Sequence, residues 1–228
     1  MPPSAPLLAV TLFDYGVGNI HSIRKALTLV GAKVTVVRNP RVLLRATAIV
    51  LPGVGAFGAA MSALCPDARF RRALQERLTS AWAPPTLGVC VGYQVLCRSS
   101  EESAGPGVGV FPTPVRKLHH PILPHMGWAP VESRRGQGIG ALRAAHPALR
   151  QVPFPPYLYF AHSFGPVPQR HTIAVTTHGK PFSAIGARGP VLGVQFHPEK
   201  SGVVGLAMLA GWVRHAAPVV AQLQEADR

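Results

Sequence analysis

The first hundred residues alternate between apolar runs of strand length and segments with the period of an amphipathic helix. Strands are predicted at residues 7–13, 33–37, 47–51 and 86–89. A helix with an apolar stripe is predicted between a capping Asn19 and Gly31. A charged helix capped by Asp67 is predicted at residues 67–80, and another helix begins near Cys90. Because parallel strands need long crossover connections, this alternation predicts a mostly parallel sheet.

After about Arg98 the chain changes to short apolar segments punctuated by Gly and Pro. Further strands are predicted at residues 157–164, 172–177, 182–187 and 191–196. Residues 133–140 are predicted as an exposed loop and residues 201–216 as a closing apolar helix. We therefore expect an α/β fold, a doubly wound, mostly parallel sheet with an antiparallel extension. One domain is expected to span residues 1–228, with its core at about 7–216 and short tails.

Composition narrows the class of protein. Hydrophobic residues make up 47% of the chain and charged residues 14%, against about 25% in typical domains, which excludes general disorder. The formal net charge is +14. The densest clusters of basic residues in the chain are small. One contains Arg69, Arg71 and Arg72, and the other contains Arg134 and Arg135. Without a known nucleic-acid-binding motif, the charge favours a solvated surface or an acidic partner, although binding to nucleic acid stays possible on charge alone.

The cysteines and histidines do not suggest a metal site or a disulfide framework. Cys65, Cys90 and Cys97 are odd in number and lack metal-binding spacing, so a reduced, cytoplasmic setting is expected. Cys97 is expected to pack in the core. The one histidine cluster (His119, His120 and His125) lacks further ligands nearby. Neither a secretory signal nor a membrane-spanning segment is predicted.

The sequence Gly88-Val89-Cys90-Val91-Gly92 lies between a predicted strand and a predicted helix. It has the glycine–x–nucleophile–x–glycine form in which a sharp turn presents the central side chain above a sheet edge. The helix amino end would favour a thiolate at Cys90. Alone, the pattern is equally compatible with a structural cysteine between two packing glycines.

His197-Pro198-Glu199 directly follows the last predicted strand, at a position where α/β enzymes place their sites. In an extended chain, residues two apart point to the same side, so Glu199 could orient His197 toward a nucleophile. A surface His and Glu at a turn is the simpler alternative. Together with the turn around Cys90, a Cys-His-Glu triad is the better interpretation.

A third segment, LPGVGAF at residues 51–57, also follows a predicted strand. Its glycines would let a backbone N–H turn toward a developing oxyanion, alongside the N–H of Val91. Alone, the segment is compatible with an ordinary turn. No Gly-Lys-Ser/Thr follows it, so it is not a phosphate-binding loop, and DYGVGN after the first strand lacks the third glycine of a dinucleotide site.

The chain resembles the class I, triad-type glutamine amidotransferases in three segments, GVCVGYQVL, LPGVGAFG and GVQFHPEKSG. The resemblance extends over nearly the whole chain. FDYGVGNIHSIRKAL, HMGW and YLYFAHSF narrow the resemblance to the glutaminase subunits of imidazole glycerol phosphate synthases. The resemblance implies that Cys90 is the nucleophile, His197 the base and Glu199 its orienting partner. The expected reaction is hydrolysis of L-glutamine to glutamate and ammonia, which would pass to a cyclase subunit of (β/α)₈ fold in a heterodimer.

The resemblance also implies roles for residues around the triad. Gly53 and Val54 match the oxyanion strand, which would act with Val91. The substrate-binding positions are Gln94, Ser163 and Phe164, the last two through their backbone. Trp128 matches an aromatic residue at the subunit interface. No cofactor, metal, nucleic acid or membrane is expected.

Three positions depart from the family pattern. Tyr93 stands where Met is usual, Val91 where Leu is usual and Phe164 where Tyr is common. No catalytic group is lost, so these departures bear on pocket shape and rate. Two alternatives are the glutaminase of another ammonia-channelling synthase, such as that of pyridoxal phosphate synthesis, and a non-catalytic interaction module. HMGW and DYGVGN argue against the former, and the intact triad against the latter.

Overall fold

A computed structural model describes residues 7–16, 20–53, 55–134, 138–153 and 157–226. The strands are β1 (Leu8–Phe13), β2 (Ala32–Val37), β3 (Ile49–Leu51), β4 (Thr86–Val89), β5 (Cys97–Ser100), β6 (Ser103–Pro106), β7 (Phe111–Lys117), β8 (His125–Pro130), β9 (Glu132–Ser133), β10 (Tyr157–His162), β11 (Phe164–Pro166), β12 (Thr172–His178), β13 (Lys180–Arg188) and β14 (Val191–Val194). The α-helices are α1 (Ile20–Leu29), α2 (Phe57–Leu64), α3 (Ala68–Thr79), α4 (Val91–Leu96), α5 (Gly138–Ala145) and α6 (Gly202–Ala226).

The large sheet has eight strands in the order β2-β1-β3-β4-β14-β13-β12-β9. The first five strands pair in parallel, and the last three add antiparallel pairs. The expected parallel sheet with an antiparallel extension is confirmed. In the register of β4 and β14, Val89 pairs with Val194, so the residues that follow both strands meet at one sheet edge. This edge carries the site described below.

Two smaller sheets lie beside the large one, one pairing β8 with β10 and the other ordered β11-β7-β5-β6. The single strand predicted at residues 157–164 is wrong, because the chain changes sheet at Ser163. β10 ends at His162, and β11 begins at Phe164 against β7. The Ser163 carbonyl accepts from the Leu118 backbone N–H (2.9 Å). Apolar content continues through the break, so the sequence pattern does not reveal it.

A helix start agrees with its prediction from the sequence where the capping residue directly precedes the helix in the chain. Asp67 Oδ1 accepts from the Phe70 N–H (2.7 Å) at the start of α3, as predicted. The Asn19 cap proposed for α1 lies outside the described residues. The sequence does not predict α2. The first backbone N–H of this helix, on Phe57, donates to a carboxylate oxygen of Glu102, which lies 45 residues later in the chain (2.7 Å). Such a partner leaves no signature beside the helix.

Two predicted boundaries are wrong. α5 begins at Gly138 and β9 includes Ser133, so the segment predicted as a loop at residues 133–140 has an element at each end. α6 continues to Ala226, ten residues beyond the predicted end, and Pro218 lies inside it. A proline removes one hydrogen bond of the helical ladder but does not always end a helix.

α6 has the length and mean hydropathy of a membrane-spanning helix over Gly202–Glu225. One face of it, however, is buried against the rest of the chain, with Leu209, Trp212 and Ala216 fully inaccessible. These side chains belong to the same contiguous apolar core as the central strands. Burial of one face in a protein core explains the composition of this helix.

A pair of glycines makes room for the unusual Tyr93. Gly186 on β13 and Gly193 on β14 face each other in the strand register. A Cβ at Gly193 would lie 2.0 Å from the ring of Tyr93, and one at Gly186 would lie 2.2 Å from its hydroxyl. The fully buried hydroxyl is hydrogen-bonded to Ser183 Oγ (2.9 Å). The larger side chain at this position is thus matched by a trough of two glycines and a polar partner.

We predict that Gly193→Ala lowers the free energy of unfolding by about 1–3 kcal/mol, because the added methyl overpacks against the ring. In a Tyr93→Met background the same substitution should cost less, since methionine adapts to irregular space. Urea unfolding of the four proteins forms a double-mutant cycle. Additive effects would show that Tyr93 is not what excludes a side chain at this position.

Candidate active site

Cys90 lies on a strained turn between β4 and α4. Its φ is +49° and its ψ −108°, and it is the only non-glycine residue of positive φ in the part of the chain that the structure describes. The turn is fastened by the bond from the Cys90 N–H to the Val194 carbonyl (2.7 Å). Backbone strain of this kind persists only where the surroundings impose it.

The glycines on either side of Cys90 are needed because the backbone packs closely around the turn. A Cβ at Gly92 would lie 1.9 Å from the Leu51 carbonyl oxygen, and one at Gly88 would lie 2.6 Å from the Gly92 oxygen. Gly53, in the loop after β3, is equally constrained, since its Cβ would lie 1.8 Å from the Val89 oxygen and 2.5 Å from the Val91 nitrogen. The loop after β3 therefore packs directly on the Cys90 turn.

His197 follows β14, the strand beside β4. Its N–H donates to the Tyr159 carbonyl (2.8 Å), and its own carbonyl accepts from Ser201 Oγ (2.6 Å). Its Nδ1 is 2.9 Å from Glu199 Oε1, with both side chains almost wholly buried. The predicted pairing is confirmed, but by a different local structure. A short 3₁₀ turn at Pro198–Lys200, and not strand alternation, brings Glu199 to the ring.

The surroundings of His197 favour its charged form. Burial by itself lowers the pKa of the imidazole, but attraction and a hydrogen bond to the Cys90 sulfur, and the bond to Glu199, outweigh it. The net effect raises the pKa of His197 above its ordinary value of 6.5. His197 can therefore hold a proton beside the Cys90 sulfur, which suits nucleophilic catalysis at carbon.

A cavity of about 220 Å³ opens beside the Cys90 sulfur. It brings together most of the residues singled out in the sequence: Gly53, Cys90, Val91, Gln94, Ser163, Phe164 and His197. Val54 lies outside the described residues. Trp128 does not line the cavity and lies on β8, where 55% of its surface is exposed.

Four residues that sequence reasoning did not single out lie around the site. Glu102 and Lys200 line the cavity, Ser201 holds the His197 backbone, and Gln195 Nε2 lies 3.5 Å from the Cys90 sulfur. The segment GVQFHPEKSG contains three of them, Gln195, Lys200 and Ser201. Their closeness to His197 in the sequence could have indicated that they lie at the site. Glu102 had none, because it reaches the cavity from beyond β5.

Burial keeps the other two cysteines in the thiol form. Cys97 is fully buried, as expected, and burial raises the pKa of its thiol. Burial also raises the pKa of Cys65 to about 12. Of the predicted histidine cluster, His125 is buried and stacks on the ring of His178. Among the described residues, no group of three or more His, Cys, Asp or Glu side chains is arranged to hold a metal ion.

Residues 11–214 match the family model of class I glutamine amidotransferases. Two curated relatives are each called imidazole glycerol phosphate synthase subunit HisH. The protein from Symbiobacterium thermophilum is 36% identical over 92% of this chain and 96% of its own, and that from Cutibacterium acnes is 40% identical over 90% and 95%. A glutamine amidotransferase of Thermotoga maritima shares the fold, with a TM-score of 0.56 at 15% identity over 96% of both chains.

We predict that iodoacetamide alkylates Cys90 selectively in the folded chain at pH 7. Cys90 faces a cavity and an imidazole, whereas the raised pKa values of Cys65 and Cys97 keep them as unreactive thiols. Peptide mass spectrometry after brief treatment measures the three sites separately. Unfolding in urea should abolish the selectivity. Equal labelling of Cys65 and Cys90 in the folded chain would contradict the assignment.

Proposed function

The chain belongs to the class I glutamine amidotransferases, and we propose that it is the glutaminase subunit of an imidazole glycerol phosphate synthase. In this role it hydrolyses L-glutamine to glutamate and ammonia. The ammonia passes to a cyclase subunit that forms imidazole glycerol phosphate and aminoimidazole carboxamide ribotide in histidine biosynthesis. The observation that carries the proposal is the buried arrangement of Cys90, His197 and Glu199 beside one cavity.

The two chemical steps need only these three side chains and water. The Cys90 thiolate attacks the side-chain amide carbon, and the imidazolium of His197 protonates the nitrogen as the C–N bond breaks and ammonia leaves. Water then attacks the thioester carbon, its proton passes to His197, and the C–S bond breaks to return the thiolate. Glu199 holds the imidazole in position and stabilises its charge.

An oxyanion forms in both steps and needs donors beside the reacting carbon. The Val91 N–H follows the nucleophile directly, and Gly53 packs against that nitrogen. We assign the oxyanion hole to Val91 together with the Gly53–Val54 peptide. The substrate pocket is assigned to Gln94, Ser163 and Phe164. Its volume of about 220 Å³ is small among ligand sites, which agrees with a substrate the size of an amino acid.

We assign the partner to a cyclase subunit of (β/α)₈ fold in a heterodimer, and an exposed apolar face beside the cavity supports the docking of a partner. It includes Met126 and Trp128 on β8 and Tyr157 on the paired strand β10, each at least 49% exposed, and α6 begins beside Trp128 at Gly202. Trp128 packs edge-on against Tyr159, over whose ring lies Lys200 of the cavity wall. Exposed apolar patches of this kind mark protein contacts. The face is thus continuous with the mouth of the site, where ammonia would leave.

We also assign the protein to the cytoplasm and its whole length to one domain. All three cysteines are free, which agrees with a reducing compartment. The apolar core is contiguous from β1 to α6, which agrees with a single folding unit. The reaction as written uses no cofactor.

We predict that Cys90→Ser abolishes glutamine hydrolysis and that His197→Ala lowers kcat at least about 100-fold, because it removes both proton transfers. Glu199→Gln should lose less, since it disturbs orientation and leaves the base in place. Glutamate release is measured for each variant with the cyclase and its ligand present. Cys65→Ser is the matched control and should retain most activity. A greater loss in Glu199→Gln than in His197→Ala would overturn these roles.

We predict that the isolated chain is a poor glutaminase and that the cyclase with its ligand stimulates it. One missing oxyanion donor costs about 3 kcal/mol, a hundredfold or more in rate, and docking can favour the competent loop after β3. The rates of the chain alone, with cyclase, and with cyclase plus ligand test this. Trp128→Ala should weaken the stimulation. Trp82 is a similarly exposed tryptophan just before β4, and Trp82→Ala should leave the stimulation unchanged. Equal rates in all three assays would refute the coupling.

A further inference from the structure

Gln195 is a fully buried amide that the mechanism above does not use. It follows β14 and is inaccessible to solvent, yet its Nε2 lies 3.5 Å from the sulfur of Cys90. Its Oε1 accepts from Gln94 Nε2 (3.2 Å), and the same Gln94 nitrogen donates to the Phe164 carbonyl (2.7 Å). These bonds join the wall of the cavity to the nucleophile.

The direction of this chain of bonds follows from its far end. A backbone carbonyl only accepts, so Gln94 must turn its NH₂ group toward Phe164. The same NH₂ group faces Gln195, which must therefore present its oxygen to Gln94. The remaining end of the Gln195 amide is its NH₂ group, and it faces the sulfur. The Phe164 carbonyl, acting through the amides of Gln94 and Gln195, thus determines that an N–H donor faces the Cys90 sulfur.

We propose that Gln195 is a hydrogen-bond donor to the Cys90 sulfur that stabilises the thiolate, with Gln94 and the Phe164 carbonyl setting its direction. A donor to a charged group favours that charged form. In the proposed glutaminase reaction, on which its catalytic role rests, the donor acts twice. It stabilises the attacking thiolate, and it stabilises the sulfur again when the C–S bond of the thioester breaks and the electron pair returns to it.

Gln195 differs from His197, the charged partner of the sulfur, because its amide carries no charge and does not titrate. Among the described residues that line the cavity beside Cys90, the titratable side chains are His197 after β14, His162 on β10, Glu102 before β6, and Lys200 in the 3₁₀ turn. Among them His197 must release its proton to act. A neutral amide gives sulfur a donor that stays in place throughout the proton transfers.

The test is the pH dependence of Cys90 alkylation by iodoacetamide in the full-length chain, which requires no glutamine. In Gln195→Met, which has a similar length but no donor, the pH midpoint of alkylation should rise by about one unit or more, as expected for losing a hydrogen bond to a charged group. Gln195→Leu provides the same measurement with a different shape. Gln94→Met, which frees the Gln195 amide to turn, should produce a smaller rise.

Tyr93→Phe is the matched control, because it removes a buried hydrogen bond from the same region, to Ser183, without touching the sulfur. Its midpoint should stay at the wild-type value. Thermal unfolding identifies variants that do not fold. A wild-type midpoint in folded Gln195→Met or Gln195→Leu would overturn the proposal, as would an equal rise in Tyr93→Phe. If the wild-type chain shows no glutaminase activity even with the cyclase and its ligand, while the midpoint shift is intact, the proposed reaction is rejected and Gln195 remains a donor to the sulfur.

Discussion

The site depends on the parallel pairing of two strands that are distant in the chain. β4 and β14 lie side by side with Val89 opposite Val194, and the Cys90 N–H donates to the Val194 carbonyl (2.7 Å). Because parallel strands end at the same sheet edge, the residues after them meet there. A nucleophile and its base, 107 positions apart, are thereby held in contact by a rigid ladder and need no flexible loop to bring them together.

The backbone conformation of Cys90 has an energetic cost, which close packing around the turn offsets. Cys90 adopts φ +49°, and the backbones of Gly53, Gly88 and Gly92 approach so closely that no Cβ would fit. A strained turn of this kind aims the side chain at the cavity and leaves the N–H groups after it available. The same lack of space explains why Tyr93 requires a trough of two glycines in the neighbouring strands.

Polar connections around the turn give it its chemical character. Glu199 and the Cys90 sulfur keep the imidazole of His197 charged in spite of its burial. Gln195, held by Gln94, brings a neutral donor to the same sulfur. The site thus combines a charged partner that exchanges protons with an uncharged one that does not. This division suits a reaction in which sulfur is both the attacking and the leaving group.

The sequence alone determined the features whose physical cause is local. Apolar runs marked the central strands, Asp67 marked the start of α3, and the spacing of glycines about Cys90 marked the turn. Only the tertiary structure decided the rest. It supplied Glu102 as the partner of α2, the change of sheet at Ser163, and the orientation of the Gln195 amide. Each of these depends on groups more than 40 residues apart or on which sheet a strand joins, and hydrogen-bond direction follows from neighbours in space, which no local pattern encodes.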